Sequence, residues 1–317
     1  MEDAINVLTT NKDLEIVMGF PVSETGKVMS ENEIIKKTNG SHALIGMARE
    51  RITRRVIESN PKLKVICKYG IGVDNIDVRA ASEHGVLVVN APVHSSTVAE
   101  SAITLMLSLL KKVPQNAFHL KNGNWRDIST LGRDLSGKTL GIVGFGSIGK
   151  KIAKKLQNWN VDCLVYDPFI ADEDVNQYNI QKVNKQTLLT SSDIISLHLP
   201  LSDDTKDFIN YKEFSRMKKS AILINTARGK IVNEEALIHA LKKKLIAGAG
   251  IDVFYNEPIT SQHPLLHMDN VIALPHVSGY TFEALYQIAL QTSYNCIDAL
   301  NDKVPYYTVN KEEITSI

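Results

Sequence analysis

A chain of 317 residues, 44% hydrophobic and 22% charged, is long enough for two domains, each with its own core. The formal net charge is +1, from 36 basic and 35 acidic residues, and no charged tail stands out, so nothing supports nucleic-acid or membrane binding through net charge. Three cysteines, Cys67, Cys163 and Cys296, are odd in number and far apart; they form neither a metal spacing nor a disulfide framework and suit a reducing cytoplasm. No cluster of His, Asp and Glu has ligand spacing, so no metal is expected.

The first residues lack the basic region and apolar run of a signal peptide. INVLTT and LEIVM both look like strands, yet only Asn11 to Asp13 separates them, so either the first stretch is helical or one element is abbreviated. From there strand-like apolar runs alternate with helical patterns. The runs cover 42–46, 64–70, 86–90, 139–146, 162–167, 194–200, 221–226, 248–254 and 270–276. Short runs apolar on both sides and spaced by helices indicate parallel strands with both faces covered. The stretch Val98 to Leu110 is apolar, is too short to span a bilayer, and reads as a buried helix. Thr97 to Glu100 fits a capping box at its start. A second helix, 283–300, places Leu285, Ile288, Ala289, Cys296 and Leu300 near helical spacing. The two helices read as crossings between domains, with hinges expected near 95–97 and 281–283. The expected fold is α/β, with two doubly wound parallel-sheet domains. A Rossmann nucleotide domain over 96–283 is inserted into a flavodoxin-like domain made of 1–95 and 284–317.

Gly144-Phe145-Gly146-Ser147-Ile148-Gly149 follows a strand and opens a helix expected over 150–158. The first glycine allows a tight turn, the second lets backbone approach a pyrophosphate, and the third permits close helix–strand packing. Amides at the helix start hold the anion. Asp167 ends the next strand at the distance where a carboxylate accepts from ribose hydroxyls and repels a 2′-phosphate. Pro168 and Phe169 follow it, not Arg or Lys, which favours NAD over NADP.

Reducing a 2-oxo acid requires a cation for the carboxylate and carbonyl, a proton donor at the carbonyl oxygen, and a group that keeps the donor protonated. Arg228, Glu257 and His276 each come at or just after the end of an expected strand, where ligand crevices of open parallel sheets lie. A guanidinium fork binds a carboxylate bidentately, and imidazole titrates near neutrality. Each residue also has a structural reading. Arg228 fits a surface turn, Glu257 a loop charge before Pro258, and His276 a cap on the last strand.

At these residues the chain resembles the D-isomer-specific 2-hydroxyacid dehydrogenase family over nearly its whole length, most closely the short, phosphoglycerate-dehydrogenase-like branch. The similarity rests on GIGVDNID (70–77), VVNAP (88–92), STVAE (96–100), GKTLGIVGFGSIG (137–149), HLP (198–200), NTARG (225–229), GIDVFYNEP (250–258) and PHVSGYT (275–281). The resemblance implies an NAD-dependent enzyme acting on a small 2-oxo or 2-hydroxy acid. In it His276 is the acid/base, Glu257 its partner, and Arg228 the ligand of the substrate carboxylate and carbonyl. Amides of Ile71 and Gly72 complete the carboxylate site. Ser147, Ile148 and Asp167 hold pyrophosphate and ribose, and Thr97 touches the cofactor from the helix start. His198, Thr205, Thr226, Ala227 and Asp252 line the adenosine or nicotinamide sites. The resemblance also implies a homodimer built through the nucleotide domains.

The chain departs from that pattern in three places. Where the phosphoglycerate enzymes carry an arginine after the strand matching 42–46, this chain has Met47, with Arg49 and Arg51 nearby. Ser147 replaces the usual arginine of the glycine loop. No regulatory domain is expected after the carboxy-terminal helix, and so no serine feedback through one. Lys68 is a candidate for a distal anion and equally fits an exposed or snorkelling strand-end lysine. An NAD-sensing corepressor of the same fold is the alternative from another class. A formate-dehydrogenase-like reading is disfavoured, because that group pairs its histidine with glutamine where this chain has Glu257. His94 is expected near the cleft, whereas His42, His84, His119, His239, His263 and His267 read as packing or surface residues.

Overall fold

A computed structural model describes residues 2–17, 19, 28–46, 50–178 and 180–314. Met47 and Arg49 lie outside them. The chain divides into two compact units, Met1–His94 with Tyr280–Ile317, and Ser95–Gly279.

The first unit holds a three-stranded parallel sheet in the order β1 (Ala43–Gly46), β2 (Val65–Lys68), β3 (Leu87–Val89). Side chains alternate across it, so each face needs its own cover. Ile66 and Val88 pack on one side with Val56, Ile57, Ala80 and Ala81 from the short helices Arg54–Glu58 and Val78–Glu83. Val65, Cys67 and Val89 pack on the other with Cys296 and Ala299 of the helix Phe282–Leu300. The thiols of Cys67 and Cys296, remote in sequence, hydrogen-bond there, and all three cysteines are free.

INVLTT resolves as helix. Glu2–Thr9 is α-helical and packs on Phe282–Leu300, with Leu8 joining the same core cluster. Residues 14–17 form no regular element. Burying Leu8 against a long neighbour overrides the β-branched local signal.

The second unit is a seven-stranded parallel sheet. Its strands are β4 (Thr139–Val143), β5 (Asp162–Tyr166), β6 (Gln181–Lys182), β7 (Ile194–Leu197), β8 (Ile222–Asn225), β9 (Gly248–Ile251) and β10 (Val271–Ala273). Their order is β10-β9-β8-β7-β4-β5-β6, which reverses direction between β4 and β7. Central strands β4, β7, β8 and β9 are buried almost throughout, as expected of sheet covered on both faces. The two-residue edge strand β6 carries no hydrophobic run, which is why the sequence reading missed it.

The helix after the first unit starts at Ser95, not Thr97, and runs to Leu110. The expected capping box is absent: Thr97 is the third helical residue, and the Glu100 carboxylate instead meets Lys155 Nζ at 2.7 Å. Together with the 3-10 turn Pro92–His94 the helical run is 19 residues, enough by length and composition alone to pass for a membrane span, as the core helix of a folded domain also does. Its Ala99, Ala102, Leu105 and Met106 are instead core residues, packed with Leu140, Ile142 and Ile224.

Candidate active site

The site residues of the second unit come from the carboxyl ends of successive parallel strands. Gly144 follows β4, and the helix Ser147–Leu156 begins three residues later, earlier than the sequence suggested. Gly144 has φ 89, and a Cβ there would collide with the His198 carbonyl. A Cβ on Gly149 would strike the Gly144 carbonyl, so both positions demand glycine. At Gly146, the N-cap, a Cβ would meet nothing within 4 Å. With no side chain to cap it, the helix leaves the amides of Ser147 and Ile148 without acceptors among the described residues. Open space above uncapped amides suits a pyrophosphate.

Asp167 follows β5. One carboxylate oxygen accepts the Phe145 N–H at 2.8 Å and the other the Phe169 N–H at 2.9 Å, so the glycine loop and the acid are tied together. Thr226, the residue after β8, has a buried hydroxyl with no partner among the described residues, as suits a residue that meets a polar ligand. These features fit a dinucleotide. His198, after β7, has its Nε2 on Ser196 Oγ at 2.8 Å, and its Nδ1 is fully covered. Burial pushes its pKa down to about 3, although the residue as a whole keeps some exposure, so its imidazole is neutral at physiological pH. The Thr205 hydroxyl donates to Pro200 O and accepts the Ser202 N–H, closing its own turn. Thr97 is half-buried on its helix.

His276, after β10, has a left-handed backbone, φ 57. A non-glycine residue there needs outside support. Asp252, after β9 and 1% exposed, supplies it. Its carbonyl accepts the His276 N–H at 2.9 Å, and its two carboxylate oxygens accept the Val277 and Ser278 N–H groups at 2.8 Å each. Ser101 Oγ, on the helix Ser95–Leu110, holds the Ser278 carbonyl. Sequence reading set Asp252 among cofactor residues; its carboxylate is engaged with the histidine loop, a role that the sequence does not signal.

The three residues chosen for hydride chemistry belong to this one unit. His276 Nδ1 lies 2.7 Å from Glu257 Oε2, and Glu257 Oε1 accepts the Phe254 N–H at 2.9 Å. With a carboxylate as acceptor, Nδ1 carries the proton and Nε2 points elsewhere. Burial pulls the Glu257 pKa up, but the hydrogen bond and charge of His276, the Phe254 amide and the Arg228 charge outweigh it, and the net shift is downward. Arg228 is half-buried after β8, and one guanidinium nitrogen donates to Ala227 O at 2.7 Å. Asn225 Nδ2 donates to the Arg228 carbonyl, while Asn225 Oδ1 accepts the Ala227 N–H. At Gly229 a Cβ would overlap the Phe254 carbonyl, so the arginine turn and the glutamate loop touch main chain to main chain.

In the first unit, Gly70 has φ 136 and opens the loop after β2. The Ile71 carbonyl accepts from Asn90 Nδ2, and the amides of Ile71 and Gly72 have no acceptor among the described residues. Lys68 is neither exposed nor snorkelling: it is 4% exposed, with Nζ 2.6 Å from Asn75 Oδ1. Arg51 is exposed. A cavity of about 540 Å³ lined by Lys219, Lys242, Lys244 and Asn270 lies before the amino ends of β9 and β10, away from the site residues.

The D-isomer specific 2-hydroxyacid dehydrogenase, NAD binding domain family matches residues 103–278. Over 290 residues the chain is 37% identical to a D-3-phosphoglycerate dehydrogenase of Archaeoglobus fulgidus, covering 91% of this chain and 54% of that one. It thus spans about half the length of the phosphoglycerate dehydrogenases it matches. It is 36% identical over 290 residues to a glyoxylate reductase of Korarchaeum cryptofilum, covering 90% and 87%. Among solved structures it resembles D-lactate dehydrogenase from Aquifex aeolicus complexed with NAD and lactic acid, with a TM-score of 0.83 and 29% identity over 99% and 95% of the two chains.

Proposed function

The chain belongs to the D-isomer-specific 2-hydroxyacid dehydrogenase family, and from that premise we propose that it is an NAD-dependent reductase of small, unphosphorylated 2-oxo acids. The observation that carries the reading is the His276–Glu257 pair at 2.7 Å, with Arg228 near enough to lower the Glu257 pKa. In the proposed reaction Arg228 pairs with the substrate carboxylate and polarises the C2 carbonyl. NADH, when bound, supplies the hydride. His276 Nε2 gives its proton to the carbonyl oxygen, while Glu257 holds Nδ1–H and balances the imidazolium charge. A side chain 41% exposed can take its next proton from water. Ser147, Ile148, Gly144, Gly146 and Gly149 are proposed for the pyrophosphate and Asp167 for the ribose. Thr97, His198, Thr205, Thr226 and Ala227 would line the rest of the nucleotide site, while Asp252, with both carboxylate oxygens on the histidine loop, would hold His276 beside it. The nucleotide domain is proposed to be 96–283. The other domain is 1–95 with 284–317, where the Ile71 and Gly72 amides are the candidate carboxylate donors.

Lys68 favours an acid without phosphate, since its ammonium is buried on Asn75 and not presented as an anion ligand. Glyoxylate and hydroxypyruvate are therefore expected to be reduced with higher kcat/KM than 3-phosphohydroxypyruvate, followed by loss of NADH absorbance. NADH binding with no turnover of any 2-oxo acid would sink the enzyme reading and favour a sensing protein.

We also propose a cytoplasmic homodimer joined through the nucleotide domains. Three cysteines, odd in number and without a disulfide framework in their spacing, suit a reducing compartment. The helix Val113–Lys121 buries none of its residues. It and the following loop expose Phe118, Leu120, Trp125 at 76%, Ile128 at 83% and Leu131. Apolar surface of that extent calls for a partner, and a second copy of the chain is the one proposed. A Trp125→Asp/Ile128→Asp variant is expected to fall from twice the chain mass of 35.2 kDa to that mass in light scattering. A wild-type protein that runs at the single-chain mass would refute the dimer.

A further inference from the structure

We propose that Glu234 and His263 form a second carboxylate–imidazole pair whose task is to position Glu257, and through it His276. This rests on the catalytic reading above, in which Glu257 orients the acid/base. Glu234 is the first residue of the helix Glu234–Lys242, whose cap is Asn233. Its Oε1 lies 3.1 Å from His263 Nε2, and its Oε2 accepts the Tyr255 N–H at 3.2 Å. His263 Nδ1 accepts the Leu265 N–H at 3.4 Å, so Nε2 carries the ring proton and donates it to Glu234. The imidazole meets the buried Phe254 ring edge-on, with centroids 5.4 Å apart.

Phe254 and Tyr255 begin the loop that carries Glu257. The Phe254 N–H donates to Glu257 Oε1, so the peptide group that orients the catalytic carboxylate has Glu234 on the next amide and His263 on its ring. On its other side the Phe254 carbonyl abuts Gly229, next to Arg228. Lys230 Nζ sits 5.8 Å from the Tyr255 ring centroid. The loop is therefore clamped between the arginine turn and the Glu234–His263 pair. The hydrogen bonds of Glu234 run to His263 and to the Tyr255 amide, and the pair is mostly covered, with side chains 25% and 14% exposed. It is a positioning device, unlike the surface or packing role read for His263 from sequence.

The test compares His263→Phe, which keeps the ring packing but loses the donor, with His263→Gln, which keeps an N–H, and with Glu234→Gln, which leaves two donors facing one acceptor. The first readout is proton NMR of the unliganded protein. The Nδ1–H of His276, bound to Glu257, gives a downfield resonance identified by its loss in His276→Gln. In His263→Phe and Glu234→Gln this resonance is expected to weaken or exchange-broaden, and in His263→Gln to persist. The second readout is the pH profile of kcat/KM. A loosened Glu257 returns toward the ordinary carboxylate range, so the acid limb moves to higher pH and the rate at neutral pH falls about 10- to 100-fold, the cost of a small misplacement. If His263→Phe and Glu234→Gln keep both the resonance and the wild-type acid limb, the positioning role is overturned, whatever their thermal stability. If the wild type reduces no 2-oxo acid while the resonance responds as described, the pair stands and the catalytic reading falls.

Discussion

A His276→Ala enzyme is expected to lose about 10²–10⁴-fold in kcat on any 2-oxo acid that the wild type reduces, with NADH affinity changed less than threefold. The dinucleotide features, namely the open space at Gly146, the uncapped helix start and the Asp167 carboxylate, depend on other strand ends and are untouched by the substitution. Stopped-flow fluorescence of NADH binding beside steady-state turnover separates the two effects. Undiminished turnover would remove His276 from the chemistry. Acid sensitivity has a definite sign. Glu257 titrates below its ordinary 4.5, so its contribution to stability, and its grip on Nδ1–H, are complete above that value. Both are lost only as pH falls through the lowered pKa. Glu257→Gln should therefore flatten the acid side of the wild-type stability profile, even though glutamine can still accept from Nδ1–H.

Arg228→Lys is the second large effect, with an expected fall in kcat/KM of about 10²–10³. Each hydrogen bond to a charged group is worth about 1.5–3 kcal/mol, and an ammonium on a flexible stem cannot reproduce a planar fork that is already held at one nitrogen by the Ala227 carbonyl. The loss should appear with oxo acids of every side chain, because the carboxylate and carbonyl are common to all. KM and kcat within threefold of wild type would mean that the guanidinium serves only its turn.

The sequence made some parts of this site readable because their constraints are local. The glycine fingerprint demands residues with no side chain at fixed spacing, and Gly144 and Gly149 prove to be filled by backbone. Arg228, Glu257 and His276 stand at strand ends whose apolar runs are plain, and Glu257 and His276 meet because β9 and β10 are neighbours. What escaped notice depends on contacts across the fold. Asp252 looks like another strand-end acid, and only the register of β9 on β10 puts its oxygens on the amides beyond His276. His263 looks like a loop histidine, because its partner Glu234 lies on the helix between β8 and β9, one strand earlier in the chain. The amino-terminal stretch left two alternatives open for the same reason, since the helical one is chosen by a neighbour at the far end of the chain.

The left-handed turn at His276 has a consequence for redesign. The imidazole is set by peptide groups of its own loop, gripped by a buried acid that has no exposed surface to offer an incoming molecule. Proton delivery is thus insulated from whatever shapes selectivity. Grafting recognition loops from a relative that prefers another acid should retune which compound is accepted and leave the turnover machinery intact, so new specificities are open to this scaffold without rebuilding its chemistry.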